Sequence, residues 1–166
     1  MVTFTLASEA QTRRLARVLA GLLEAPVLVT VSGELGAGKT ALVREILRAR
    51  GVRGAITSPS FALAQSYRGR SGEDLHHLDL FRLGPGADVD LFAWDDYIGA
   101  RALTFVEWPA AGSAALPPPN VRLELEHRTP RSRVARLSAD PALERVVQER
   151  AAAEGIDACV AGAPGT

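Results

Sequence analysis

The sequence predicts an α/β fold of three layers, with a mixed, mainly parallel sheet carrying antiparallel additions. Three observations carry it. An apolar β-branched run, Val27 to Val31, is followed by the glycine-rich stretch Gly33 to Lys39 and then by a helical pattern, giving strand, loop and helix in order. A second apolar run, Ala102 to Glu107, ends in an acid as a buried parallel strand does when it reaches a site. Two pairs of strand-like segments, each joined by a short polar turn, supply the antiparallel pieces.

Taken in chain order, Ser8 with Gln11 three residues on forms a capping-box signature, and Leu15, Val18, Leu19, Leu22 and Leu23 recur at helical spacing, so a helix is expected from about Glu9 to Glu24. Pro26 ends it. Ala41, Leu42, Val43, Ile46 and Leu47 mark a second helix that stops at Gly51, a residue able to take the left-handed cap. Phe61 to Tyr67 and Leu75 to Leu80 flank a polar Gly/Ser-bearing segment and read as a hairpin. Asp88 to Tyr97 reads as a short helix, and Ala110 to Asn120, with three consecutive prolines, as a rigid connector. Val121 to Glu126 alternates strictly and Arg133 to Leu137 can pair with it. A last helix from about Pro141 to Ala153 completes a single domain over residues 1–153, and residues 154–166 read as a flexible tail.

Composition bounds the function. With 166 residues and 47% hydrophobic content there is enough for one core. Nineteen basic residues balance nineteen acidic ones, which excludes a general basic footprint for nucleic acid, so any nucleic-acid contact is expected to be local or borrowed from a partner. The single cysteine, Cys159, can build neither a disulfide framework nor a cysteine zinc site. Neither a membrane span nor signal-peptide features are legible, and the expectation is a cytoplasmic protein away from membranes. Lys39 is the only lysine beside eighteen arginines, and it stands where a compact ammonium on a flexible stem is wanted.

Gly33-Glu34-Leu35-Gly36-Ala37-Gly38-Lys39-Thr40 satisfies G-x-x-x-x-G-K-[ST], the P-loop or Walker A pattern. Glycines let successive N–H groups approach phosphate oxygens without a Cβ in the way, while the following helix directs its positive end at the same anion. Lys39 is expected to bridge the β- and γ-phosphates of ATP or GTP, and Thr40 to offer its hydroxyl to Mg2+. The metal also needs an acid at a neighbouring strand end, where Asp79 and Glu107 both qualify. The more uniformly apolar run before Glu107 assigns that residue to the metal and Asp79 to a catalytic or water-orienting role. His76 and His77 read as ordinary strand residues before ligands, and Trp108 by itself as core filling.

GELGAGKT at Gly33 to Thr40, SPSFALAQSY at Ser58 to Tyr67, HLDLFRL at His77 to Leu83 and FVEWP at Phe105 to Pro109 together resemble one family, the bacterial P-loop ATPase of tRNA threonylcarbamoyladenosine biosynthesis called TsaE or YjeE. The resemblance covers the chain from the first helix to about Leu137. It implies that Leu35, Gly36, Ala37, Gly38, Lys39 and Thr40 hold the nucleotide phosphates, that Thr40 and Glu107 hold magnesium, that Asp79 is needed for hydrolysis and that Trp108 matters for activity. Glu9 falls near a nucleotide contact of the family. Ser58 and Ser60 lie in a loop like a switch segment, with Ser60 where threonine is common, and His76 stands where tyrosine is frequent while His77 keeps register. The resemblance further implies two partners, a threonylcarbamoyl transferase catalytic subunit and its inactive paralogue, and an ATPase that they stimulate. A small-molecule P-loop kinase is the alternative, for which Arg68 and Arg70 at the hairpin tip could serve as lid arginines. A regulatory GTPase would need an N-K-x-D segment, which a chain whose only lysine lies in the loop cannot contain. A nucleotide-gated binding module without turnover is a further possibility.

Overall fold

The computed structural model describes residues 1–59, 62–83, 93–112 and 115–160. Its centre is an eight-stranded sheet in the order β3-β4-β5-β2-β6-β7-β1-β8. The strands are β1 (Val2–Leu6), β2 (Val27–Gly33), β3 (Ala64–Arg68), β4 (Asp74–Asp79), β5 (Ala102–Glu107), β6 (Val121–Thr129), β7 (Ser132–Ser138) and β8 (Asp157–Val160). The helices are α1 (Glu9–Leu22), α2 (Lys39–Ala49) and α3 (Pro141–Ala153). β4, β5, β2 and β6 run parallel, and β3, β7, β1 and β8 add antiparallel pairings around them. The antiparallel additions therefore match the parallel centre in number of strands.

β2 and β5 are parallel strands buried on both faces, which is why they read as uninterrupted apolar runs. Strand alternation then divides the core. Val29, Val31, Leu75, Leu103 and Phe105 pack toward Leu15 and Leu19 of α1, Leu42 and Ile46 of α2 and Val147 of α3, so all three helices cover one face. Leu28, Leu78, Leu80 and Val106 face the other way, where Trp94, Tyr97, Ile98, Trp108 and Leu116 cover them. Among the described residues that second cover is built from short 3-10 turns, Trp94–Asp96 and Pro109–Gly112, and irregular chain.

The capping signature of α1 is present with one change. Ser8 Oγ accepts from the Gln11 N–H at 3.4 Å, but the Gln11 side chain reaches past Ser8 and accepts from the Ala7 N–H at 2.6 Å. α2 ends as expected, with Gly51 at φ 95°. Of the helix expected over Asp88 to Tyr97, residues 88–92 lie outside the described residues and the rest contains the 3-10 turn Trp94–Asp96.

Two strands were not anticipated. β1 pairs with β7, and β8 adds to the outer side of β1, so the sheet takes in a segment beyond α3, Asp157–Val160. A free edge at β1 would leave a row of unpaired backbone groups, and pairing with the segment after α3 removes it. The Ala/Gly-rich look of that segment concealed a strand whose role is backbone pairing; residues 161–166 lie outside the described residues.

Candidate functional site

The parallel registers bring the carboxyl ends of three strands together. Val31 of β2 lies opposite Glu107 of β5, and Glu107 lies opposite Asp79 of β4. The phosphate-type loop leaves the end of β2 at the same edge, the place where ligands of open α/β sheets bind. Because side chains alternate, Leu75, His77 and Asp79 share a face of β4 as Leu103, Phe105 and Glu107 share the same face of β5, toward α2.

The loop Gly33 to Lys39 is held in shape by its glycines. Gly36 and Gly38 have φ of 79° and 101°, and Gly38 is the residue that enters α2. Gly33, at φ 133°, passes so close to β6 that a Cβ there would lie 2.0 Å from the Leu125 carbonyl oxygen. Two contacts from the β6–β7 hairpin brace the loop from outside: Arg133 Nε donates to the Ala37 carbonyl at 3.1 Å, and the His127 N–H donates to Glu34 Oε1 at 3.2 Å.

Lys39, 4% exposed, folds back under this loop. Its Nζ donates to the carbonyls of Gly33 at 2.8 Å and Glu34 at 2.7 Å and sits 3.8 Å from the centroid of the Trp108 ring. Burial pulls its pKa below the ordinary lysine value, and the carboxylates of Glu107, Asp79 and Glu34 oppose that shift. Trp108 reaches the lysine because its backbone turns at φ 57°, a left-handed conformation rare for an aromatic residue, immediately after Glu107. Its ring also meets Phe81 at 4.8 Å. Trp108 thus covers part of the core, as its sequence setting suggested, and in addition faces the lysine.

Glu107, 1% exposed, is gripped at both oxygens. Thr40 Oγ1 donates to Oε2 at 2.8 Å, and His77 Nε2 lies 2.6 Å from Oε1. Asp79 Oδ1 accepts from the Phe81 N–H at 3.1 Å, and Ser58 Oγ lies 3.5 Å from Oδ2. The Asp79 N–H itself donates to the carbonyl of Leu63, a second left-handed non-glycine residue at φ 62°. Ser60 lies outside the described residues.

Beside the loop, a cavity of about 610 Å³ opens between the start of α1, the start of α2 and the β6–β7 turn. Glu9 and Thr12 line it from α1, Gly38, Ala41 and Arg44 from the loop and α2, and Arg131 and Arg133 from the turn. Glu9 is thereby placed next to the loop, exposed and 3.8 Å from Arg13. Leu35 projects outward, 73% exposed, so its contribution to the loop is its backbone. Arg131 and Arg133 escaped the sequence reading because nothing in an alternating strand marks which arginine turns toward a loop ninety residues earlier. His77 was readable in principle, since it stands two residues before Asp79 on the same face of one strand.

Oxygen donors predominate where a cation would sit, and they suit magnesium: a hydroxyl and a carboxylate 2.8 Å apart at the head of α2. Among the described residues no group of three or more His, Cys, Asp or Glu side chains could hold a metal.

A family model described as threonylcarbamoyl adenosine biosynthesis protein TsaE matches residues 6–135. A curated protein of Streptomyces coelicolor named tRNA threonylcarbamoyladenosine biosynthesis protein TsaE is 40% identical over 119 residues, covering 69% of this chain and 78% of the relative. The protein of the same name from Rickettsia conorii is 35% identical over 123 residues, covering 74% and 69%. That of Haemophilus influenzae is 30% identical over 104 residues, covering 63% of this chain and 65% of its own length. The crystal structure of YdiB from Bacillus subtilis shares the fold at a TM-score of 0.73, with 19% identity, covering 93% of this chain and 98% of that one. With the matched span running from the end of β1 into β7 and enclosing the loop, Asp79, Glu107 and Trp108, the chain belongs to the TsaE family, whose proteins take part in tRNA threonylcarbamoyladenosine biosynthesis.

Proposed function

We propose that this chain is a magnesium-dependent ATPase serving tRNA threonylcarbamoyladenosine modification in the cytoplasm. Its partners on this reading are the threonylcarbamoyl transferase catalytic subunit and that subunit's inactive paralogue, with tRNA held by them. The observation that carries the enzymatic part is the convergence of Lys39, Thr40, Asp79 and Glu107 at the ends of three adjacent strands, with the loop amides and the start of α2 beside them. Family membership supports the pathway. No helix among the described residues is long and apolar enough to cross a membrane.

The residues divide the work as follows. The loop amides and the N-terminal end of α2 bind the phosphates, and Lys39 exchanges the carbonyls of Gly33 and Glu34 for phosphate oxygens. Thr40 and Glu107 are the side chains that would hold magnesium, which when bound offsets charge on the phosphates. Asp79 orients a water for in-line attack on the γ-phosphorus; the new P–O bond forms as the bond to the β,γ-bridging oxygen breaks, leaving ADP and inorganic phosphate. Trp108 shields and steadies the lysine by a cation–π contact. The cavity beside the loop, with Glu9, Thr12 and the arginines of the β6–β7 turn, is of a size for the rest of the nucleotide.

A small-molecule kinase is the weaker reading because its lid arginines are misplaced. Arg68 is tied to Asp74 at 2.8 Å and to the Gly72 carbonyl. Arg70 packs on Gly51 at the far end of α2 from the loop, a helix of eleven residues and so about 16 Å long. The test is phosphate release from ATP with Mg2+, with and without the partner pair, set beside transfer to small hydroxylated acceptors. Stimulated release of free phosphate is the expected result; transfer to an acceptor with no free release would overturn it.

A further inference from the structure

His77 is a buried residue that the proposed division of roles leaves without a task. It is fully buried, and its Nε2 is 2.6 Å from Glu107 Oε1. Its other ring nitrogen, Nδ1, is buried with no hydrogen-bond partner among the described residues. An N–H at Nδ1 would therefore be an orphaned buried donor, the costlier way to bury an unsatisfied group, whereas a bare lone pair there is the lesser penalty. The hydrogen belongs on Nε2, and it points at Glu107.

We propose that His77 is a positioning residue for the cation site: as the Nε2–H tautomer it donates to Glu107 Oε1 and turns Oε2 toward Thr40. A carboxylate at a strand end has two oxygens and a free rotation about its last bond. With Oε1 occupied from the β4 side, the plane of the carboxylate is set and Oε2 is presented at the head of α2, where it meets the Thr40 hydroxyl at 2.8 Å. Neither contact alone does this; Thr40 alone would let the group swing about the Oε2 contact. The strand register delivers the pair, because His77 stands opposite Phe105, two residues before Glu107, on the face of the sheet that both side chains share. His77 is not among the residues that line the cavity. Outer partners of this kind, which orient a ligating group without ligating, are worth about 10- to 100-fold in metal affinity when removed.

The inference rests on the proposed Mg2+·ATP reading of the site. The experiment compares the wild type with His77→Gln, His77→Met and His77→Phe. For each, ATP affinity is measured by calorimetry without divalent ion and across a Mg2+ titration, with thermal unfolding of the nucleotide-free protein alongside. Gln and Met have similar size but only Gln offers a donor, so the pair isolates the hydrogen bond even where Phe does not fold. The expected result is a Mg2+ midpoint raised about 10- to 100-fold in Met and Phe and nearly restored in Gln, with metal-free ATP affinity unchanged. Equal midpoints in Gln and Met, or a parallel loss of metal-free affinity and of unfolding temperature with no change in midpoint, would make His77 a packing residue only. A wild type whose ATP affinity ignores Mg2+ would instead sink the functional reading beneath it. Independently of any variant, the 15N shifts of the His77 imidazole in the wild-type protein are expected to be those of the Nε2–H tautomer; the Nδ1–H pattern would overturn the proposal.

Discussion

Thr40 and Glu107 are sixty-seven residues apart in the chain, and the hydroxyl of one donates to the carboxylate of the other across 2.8 Å. This bond joins the first turn of α2 to the end of β5 and sets the two oxygens expected to face magnesium side by side. Asp79, on the neighbouring strand, is held by different groups: the Phe81 N–H and the Ser58 hydroxyl. The two acids therefore differ in surroundings, and they are expected to differ in phenotype. Glu107→Gln keeps the shape but loses the charge that offsets a divalent ion, so Mg2+-dependent tightening of ATP is expected to fall. Asp79→Asn is expected to leave binding within a few-fold and slow hydrolysis by about 100-fold or more, the size of a lost acid–base or orienting group. Titrating ATP with and without Mg2+ beside single-turnover phosphate release measures both; identical profiles would refute the division.

Gly33→Ala is expected to destabilise the whole domain rather than merely the site. The new Cβ would meet the Leu125 carbonyl oxygen at 2.0 Å, backbone against backbone, at a φ that side chains rarely adopt. Backbone strain and overpacking each cost about 1–3 kcal/mol, so a loss of roughly 2–6 kcal/mol is expected in urea unfolding. Gly54→Ala, at positive φ but with open space around it, supplies the control with strain and no clash.

His76 is expected to make the stability fall as pH falls. Burial lowers its pKa below the ordinary value of 6.5, and Asp74 opposes the shift. The unfolded chain then takes up a proton first as pH falls through 6.5, so stability drops below that pH and levels once the folded-state group is protonated too. Its Nδ1 lies 2.8 Å from the Ser66 hydroxyl and its ring meets Tyr97 edge-on. Urea unfolding at pH 8, 6.5 and 5 is expected to show this decline in the wild type and a shallower one in His76→Tyr. An unchanged slope in the variant would remove His76 as the cause.

Much of this architecture was legible in the residues because local and global preferences agree. The apolar runs of β2 and β5, the glycine loop between β2 and α2, and the alternation of β6 each belong to one recognisable period. That Lys39, Thr40, Asp79 and Glu107 lie near one another could be anticipated because they stand at strand ends or in the loop that follows β2. β1 and β8 were not legible, since short strands added beyond the parallel centre are specified by the neighbours they pair with and not by their own pattern. Nor was the β6–β7 turn as a wall of the cavity: Arg133 reaches Ala37 only because β6 happens to lie beside β2. Glu9 was placed by resemblance, and its approach to the loop depends on how α1 packs against α2, a tertiary fact with no local signature.

Everything proposed for the site depends on ATP occupying the loop that Lys39 now fills with its own ammonium. Calorimetric titration of ATP with Mg2+ into the wild type, Lys39→Ala and Lys39→Arg measures that dependence. The ammonium sits between two carbonyls and the Trp108 ring, a space suited to a point charge and not to a planar guanidinium. Charge-assisted hydrogen bonds of this kind contribute about 1.5–3 kcal/mol, roughly 10- to 150-fold in affinity. One site per chain in the wild type, weakened by at least that factor in both folded variants, is the predicted result; undiminished binding in folded Lys39→Ala, or no binding by the wild type, would contradict it.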